Sequence, residues 1–215
     1  MGEIIRHHLG DLIAGLGTSL QIAGLSMVGA FIVGSLVAIM RISPIAPLRA
    51  AGLVYVEVFR NIPVMSLIIL VVYALPRLNI RFGFMNSVLV ALTLVGGSFV
   101  CEALRSGVNA VGAGQIEAGR AIGLTFPQLL RLIVLPQAFR TVVQPLVTIV
   151  IALFLSSSLA GVVGVMDLTH AANRINQEEA LGLIVYIAAA VLYVAVALVV
   201  AWVGGIIERA VRIVR

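Results

Sequence analysis

The sequence predicts an all-α membrane protein, with five transmembrane helices and a cytoplasmic two-helix insert between the third and the fourth. Three observations predict it. The 215 residues are 61% hydrophobic and only 11% charged, with mean hydropathy +1.17, whereas a soluble domain carries about a quarter charged residues. Four charge-free runs, Leu12 to Met40, Phe82 to Cys101, Thr141 to Met166 and Ala180 to Ile207, are 29, 20, 26 and 28 residues long, and about 20 apolar residues cross a bilayer as a helix. A fifth run, Asn61 to Pro76, has 16 residues and reaches spanning length by starting near Gly52, which carries Glu57 and Arg60 into the membrane. The expected spans are therefore about 12–40, 52–76, 82–104, 141–166 and 180–207, with the insert at about 113–139, in one transmembrane domain covering 1–215.

Five spans put the termini on opposite sides, and the basic residues choose between the two orientations. All 14 positive charges are arginines. Nine of them (Arg41, Arg49, Arg105, Arg120, Arg131, Arg140, Arg209, Arg212, Arg215) fall on one side and four (Arg6, Arg77, Arg81, Arg174) on the other, with Arg60, inside span two, counted on neither. The positive-inside rule then places the insert and the C-terminus in the cytoplasm and the N-terminus outside. The net charge of +5 reflects this topology, so nucleic-acid binding is not needed to explain it. Span one is too long for a signal-peptide core, and no cleavage site follows it cleanly.

Span one carries Gly15, Gly17, Thr18, Ser19, Gln21, Gly24 and Ser26 in its first half. The glycines suit close helix packing, and the Gln21 amide has to face protein or water. A turn with Pro44 and Pro47 leads into span two, where "YVEVFRNIPV" sets Glu57 and Arg60 three residues apart on one helical face, able to pair. Pro63 removes a backbone donor and kinks the helix nearby. Glu57, Arg60 and Asn61 either form an internal polar group that fixes packing or line a transport pathway. Span three ends on Ser98, Glu102 and Arg105, the last two repeating the Glu-x-x-Arg spacing at the cytoplasmic boundary.

The insert "GQIEAGRAIGLTFPQLLRLIVLPQAF" reads as helix, turn, helix. Gln115 to Ile122 form the first helix, with Ala118, Gly119 and Ala121 on its exposed side, and Gly123 is a left-handed stop. Thr125 and Gln128 have capping-box spacing, with Pro127 in the first turn. Leu129, Leu130, Ile133 and Val134 make the second helix's apolar side, Arg131 stays polar, and Pro136 ends or bends it. Span four follows, with Gln144 and Pro145 at its start and Ser156, Ser157 and Ser158 deeper in. These hydroxyls either line a pathway or bond back to helix carbonyls. "DLTHAANRINQEE" is an outer loop, and Trp202 is an interfacial anchor near the inner end of span five.

Several chemistries are excluded. A phosphate-binding loop needs a lysine after its glycines, and this chain has none. His7, His8 and His170 lack metal-site spacing, Cys101 is the only cysteine, and no serine stands in a nucleophile elbow. No enzymatic activity, no metal and no cofactor are expected.

The insert resembles the EAA loop of ABC-importer permeases, through Glu117-Ala118, a glycine six residues on at Gly123, and Ile133 with Leu135-Pro136. Nearly the whole chain resembles the polar-amino-acid permease family, the His/Glu/Gln/Arg/opine type. "VEVFRNIPV" is similar to its second-span signature and "FVCEALRSGVNAVGAGQIEAGRAIGLTFPQLLRLIVLPQAFR" to its central block. The resemblance implies a type I ABC importer permease fold in a prokaryotic cytoplasmic membrane. It implies that Gln115, Glu117, Ala118, Arg120, Ala121, Gly123 and Leu124 couple to a separate ATPase, which binds the ATP and magnesium. It also implies two copies of that ATPase, a second permease, identical or homologous, and an external amino-acid-binding protein. The expected substrate pathway takes Gln21, Glu57, Arg60, Asn61, Ser98, Glu102 and Ser156 to Ser158. The family's fourth span reads Lys-(Asp/Asn)-Thr-Ser-Leu where this chain has "SSSL", so charged groups are missing at that point, and a non-identical second permease is one source for them. Glutamate or glutamine is the expected cargo, from the resemblance of "CEALRSGVN". The competing readings are an ATPase-independent secondary transporter or channel subunit and a membrane scaffold. Internal repeats, common in secondary transporters, are not evident in this chain.

Overall fold

The structure is a computed structural model that describes residues 7–180 and 182–211; Arg6, Arg212 and Arg215 of the charge count lie outside them. The described residues form a helical bundle. Helix α1, Leu9–Ile42, is 34 residues long, so at 1.5 Å per residue it extends about 50 Å, against a hydrocarbon layer of about 30 Å. Asp11 and Arg41, near its two ends, therefore stand outside the apolar slab. Then come α2 (Ala46–Asn61), α3 (Val64–Ile69), α4 (Phe84–Asn109), α5 (Ala113–Ala121), α6 (Phe126–Leu129), α7 (Leu135–Ser156), α8 (Leu168–Glu179) and α9 (Leu183–Val211).

The centre of the bundle is α1 packed along α4. Small residues bring the two backbones close. A Cβ on Gly34 would lie 2.7 Å from the Gly97 carbonyl oxygen and equally close to Val100, so no larger residue fits there without moving a helix. Ile22, Ala30, Val88, Leu92, Val95 and Leu153 fill the surrounding core. The outer surfaces of α1 and α9 remain apolar and exposed, as lipid-facing helices require.

The kink expected at Pro63 divides span two into two helices. Ala46–Asn61 and Val64–Leu78 meet at 105°. Pro63 cannot donate a backbone hydrogen bond and forces its predecessor out of the helical region, and Ile62 and Pro63 are both extended, with ψ of 132° and 128°.

The second helix of the insert does not end at Pro136. Phe126–Val163 runs as one helical stretch of 38 residues, so the insert continues directly into span four. It passes through a π turn, Leu130–Val134, and a second π turn, Leu70–Ala74, stands at the same distance before Pro76. A proline ring collides with the carbonyl four residues back and gives it no partner. Widening the preceding turn to i+5 bonding accommodates the ring without breaking the helix.

The outer loop is also a helix. Asp167 caps α8 by accepting a hydrogen bond from the His170 N–H at 2.8 Å, and Leu168, Ala171, Ala172 and Ile175 bury one face against α1 and α9.

Candidate functional site

The insert is built from local signals. Helix α5 closes in a Schellman arrangement: the Gly123 N–H donates to the Arg120 carbonyl at 3.0 Å and the Leu124 N–H to the Gly119 carbonyl at 3.1 Å. Gly123 has φ +82°, the left-handed conformation that costs an L-residue about 1–2 kcal/mol. The chain then turns into α6, where the Thr125 N–H donates to Gln128 Oε1 at 2.9 Å. Beneath this turn Val111, Leu129 and Val134 are buried, with Leu124 and Ile133 packed on them.

Gly119 belongs to that underside. It is buried, and a Cβ there would lie 2.8 Å from Ile133 Cδ1, which corrects its expected place on the exposed side. The reason is periodicity: Leu129 and Ile133 need a close neighbour on α5, and the glycine supplies the gap.

Glu117, Ala118, Arg120, Ala121 and Gly123 are exposed, whereas Leu124 is half-buried. Gln115 is spent on structure, since its Oε1 accepts from Gln137 Nε2 at 2.9 Å and ties α5 to α7. Two residues that sequence reasoning missed complete the rim: Ile122 is 78% exposed and Phe126 73% exposed, one on each side of the glycine turn. They were visible in principle. They are the two large apolar residues next to Gly123 and Thr125 that the amphipathic pattern leaves unassigned.

The candidate pathway residues divide. Gln21, Glu57, Arg60 and Asn61 are exposed on the bundle surface. Glu57 and Arg60 do not pair among the described residues. Asn61 Nδ2 instead donates to the Glu57 carbonyl at 2.7 Å and lies 3.4 Å from its carboxylate, while the Arg60 guanidinium sits 5.6 Å from the centroid of the Phe99 ring. The Asn61 amide thus turns back onto the last turn of its own helix, and Arg60 is left to the aromatic face.

Ser98 is buried against the Val95 carbonyl at 2.6 Å and lines no open surface. Glu102 accepts from Arg41 and from Arg105, the latter at 3.0 Å. It ties the C-terminal ends of α1 and α4 together. Ser157 and Ser158 donate to the Phe154 and Leu155 carbonyls at 2.6 and 2.7 Å. Ser157 is buried and Ser156 half-buried, and the helix tightens to a 3-10 form over Ser157–Val163. Back-bonding engages the Ser157 and Ser158 hydroxyls as donors, and Ser157 is fully buried within this bundle.

At the opposite end, α8 is held to its neighbours by polar contacts. Asp167 is fully buried, and its second carboxylate oxygen accepts from the Tyr193 hydroxyl at 3.2 Å. Ser19 accepts from the Leu168 N–H at 3.2 Å, and a Cβ on Gly15 would lie 2.8 Å from the Asp167 carbonyl oxygen. Burial pushes the Asp167 carboxyl up, against the N–H groups of His170 and Thr169 and the Tyr193 hydroxyl that favour its anion. Arg174 bridges to Asp11 at 2.8 Å. His8 stands between Asp11 and Glu179, with each ring nitrogen 3.4 Å from a carboxylate oxygen. Among the described residues no group of His, Cys, Asp or Glu is placed to hold a metal.

The arrangement has a helical bundle, an exposed helix-turn-helix continuous with one span at one end, and an amphipathic helix held by polar contacts at the other. Comparison with known proteins gives it a context. The sequence model of the family described as "Binding-protein-dependent transport system inner membrane component" matches residues 14–213. A probable glutamine ABC transporter permease, GlnM of Bacillus subtilis, is 36% identical over 79% of this chain and 78% of its own. A second from that organism, GlnP, is 34% identical over 91% of each. The glutamate/aspartate import permease GltJ of Escherichia coli is 29% identical over 96% of this chain and 89% of its own. Among solved structures, an amino-acid ABC transporter with histidines superposes with TM-score 0.92 at 26% identity, over 96% of both chains. An inward-facing MetNI methionine ABC transporter superposes with TM-score 0.79 at 25% identity, over 99% of this chain and 100% of that one.

Proposed function

This chain belongs to the family of binding-protein-dependent transport system inner membrane components, and from that premise we propose that it is the membrane subunit of an ATP-driven importer of a polar amino acid. Glutamine or glutamate is the cargo that the names of its relatives favour. The permease does no chemistry of its own. With no lysine in the chain, a Walker-type ATPase has to be supplied by other subunits, two copies in the assembly proposed, which hold the ATP and magnesium. An external binding protein delivers the amino acid.

The observation that carries this reading is the rim of the insert. Ile122 and Phe126 are apolar and almost fully exposed on either side of Gly123, on a compact segment with its own buried underside. Apolar anchors presented on a rigid turn are the features of a protein-docking knob. Because the turn continues through the π segment into span four, a push on it is delivered to the membrane helix. Alternating access then needs each nucleotide state to favour a different facing of the bundle.

A second permease is supported by what the bundle leaves open. Gln21, Glu57, Arg60, Asn61, Asn86, Gln144 and Thr148 are exposed on spanning helices, where hydrocarbon is a poor neighbour for them. A second permease and the cavity between the two subunits would cover them. The arginine excess supports an orientation with the insert in the cytoplasm and the N-terminus outside.

Coexpression with the cognate P-loop ATPase tests the docking. The wild-type chain is expected to copurify the ATPase, and Ile122→Asp with Phe126→Asp to lose it while remaining folded in detergent. Retention of the ATPase by the double variant would remove the insert from the interface.

A further inference from the structure

The segment between the second and third spans has a character that amino-acid transport does not explain. The 3-10 turn Leu75–Leu78 ends at Asn79 in the left-handed region, φ 64°, and α4 starts at Phe84. The residues between them form no helix or strand. Across this short link Leu78, Ile80, Phe82 and Phe84 are all between 42% and 69% exposed. Arg77 and Arg81 are exposed as well, and among the described residues neither guanidinium takes part in an ion pair or side-chain hydrogen bond. Both arginines also stand on the minority side of the charge count.

Two spanning segments leave the bilayer at this link, so it lies at the level of the lipid headgroups. Four large apolar side chains in open water would form a costly patch, and two unpaired guanidiniums in hydrocarbon would cost more. Both costs vanish at one depth, with the apolar side chains among the upper acyl groups and the guanidiniums at the phosphates. Arginine's planar fork suits a phosphate bidentately.

We propose that Arg77 and Arg81, with Leu78, Ile80, Phe82 and Phe84, form an interfacial anchor that binds the phosphate headgroups of anionic phospholipids in the leaflet at this end of the bundle. The charge complementarity selects a lipid over an apolar protein partner, and the acyl region accommodates the side chains that a soluble acidic protein would leave wet. The site is independent of the transported substrate.

The test uses the permease–ATPase complex in nanodiscs of mixed phosphatidylcholine and phosphatidylglycerol, with Phe82 replaced by the photocrosslinker p-benzoyl-phenylalanine. The expected product is a lipid adduct enriched in phosphatidylglycerol. The enrichment should fall about fivefold for each arginine neutralised by Arg77→Gln or Arg81→Gln, and the double lysine variant should retain most of it. If a glutamine variant does not assemble, the enrichment at Phe82 in the otherwise unaltered complex should collapse at high salt. An adduct chiefly with a second permease or with the binding protein would overturn the proposal. So would a phosphatidylglycerol preference indifferent to both the substitutions and salt.

Discussion

Two glycines of the insert show how a single residue acts here for different physical reasons. Gly119 is constrained by space, since Ile133 occupies the room a side chain would need. Gly123 has nothing within 4 Å of a Cβ position, and its constraint is the backbone, at φ +82°. Gly123→Val, with β-branching added to a left-handed residue, is therefore expected to open the Schellman turn and displace Ile122 and Phe126 while the spans stay folded. Uptake per ATP hydrolysed in proteoliposomes should fall at least tenfold, or the ATPase should dissociate. Fully coupled uptake would show that the turn's geometry is not what transmits the stroke. Gly123 and the Thr125–Gln128 cap were legible in the sequence because each signal lies within a few residues. Asp167 was not, because Tyr193, which donates to it, and Ser19, which accepts from the adjacent Leu168 N–H, come from distant helices, and no local pattern announces such a meeting.

At the scale of elements, hydropathy identified the spans but not their continuity. Span two fitted the length criterion once Glu57 and Arg60 were admitted, yet it breaks at Pro63 by 105°. Pro136, in a similar apolar setting, breaks nothing, because a π turn precedes it. Proline alone does not say which outcome follows; the packing of the flanking turns decides. Helix α8 was hidden by its polar sequence, since its buried face rests largely on alanines with Leu168 and Ile175.

That helix carries a pH dependence. The hydrogen bond to Glu179 raises the His8 pKa, the contact with Asp11 adds to it, and burial opposes both. Its folded-state pKa thus lies above its value of 6.5 in an unfolded chain. The bridge from α1 to α8 is fully present below that value and is lost as pH rises through the folded-state pKa. A nitroxide pair at Gly10→Cys and Glu178→Cys should report a short, narrow distance at pH 5.5 and a broader one at about pH 8.5. His8→Gln should remove the pH dependence; a distribution unchanged over this range in the His8-containing protein would rule the bridge out as a clamp.

For the molecule as a whole, the composition already separated what the chain does from what it cannot do. The absence of lysine leaves no Walker-type loop in this chain, and the arginine asymmetry is what supports the proposed cytoplasmic side of the insert. The candidate pathway was the least legible part. Glu102, Ser98 and Ser157 looked like lining groups because polar residues in apolar runs attract that reading, but each is engaged with a neighbouring charge or carbonyl. Gln21, Glu57, Arg60 and Asn61 remain on the open surface, and their meaning lies in an assembly that one chain's sequence does not describe. The central claim is that this bundle moves an amino acid only when an ATPase drives it through the insert. The direct measurement is accumulation of radiolabelled glutamine or glutamate in proteoliposomes containing the permease and external binding protein, with and without the ATPase. Concentrative uptake that requires both ATP and the ATPase is the predicted result. Uptake that proceeds equally without the ATPase would contradict the account.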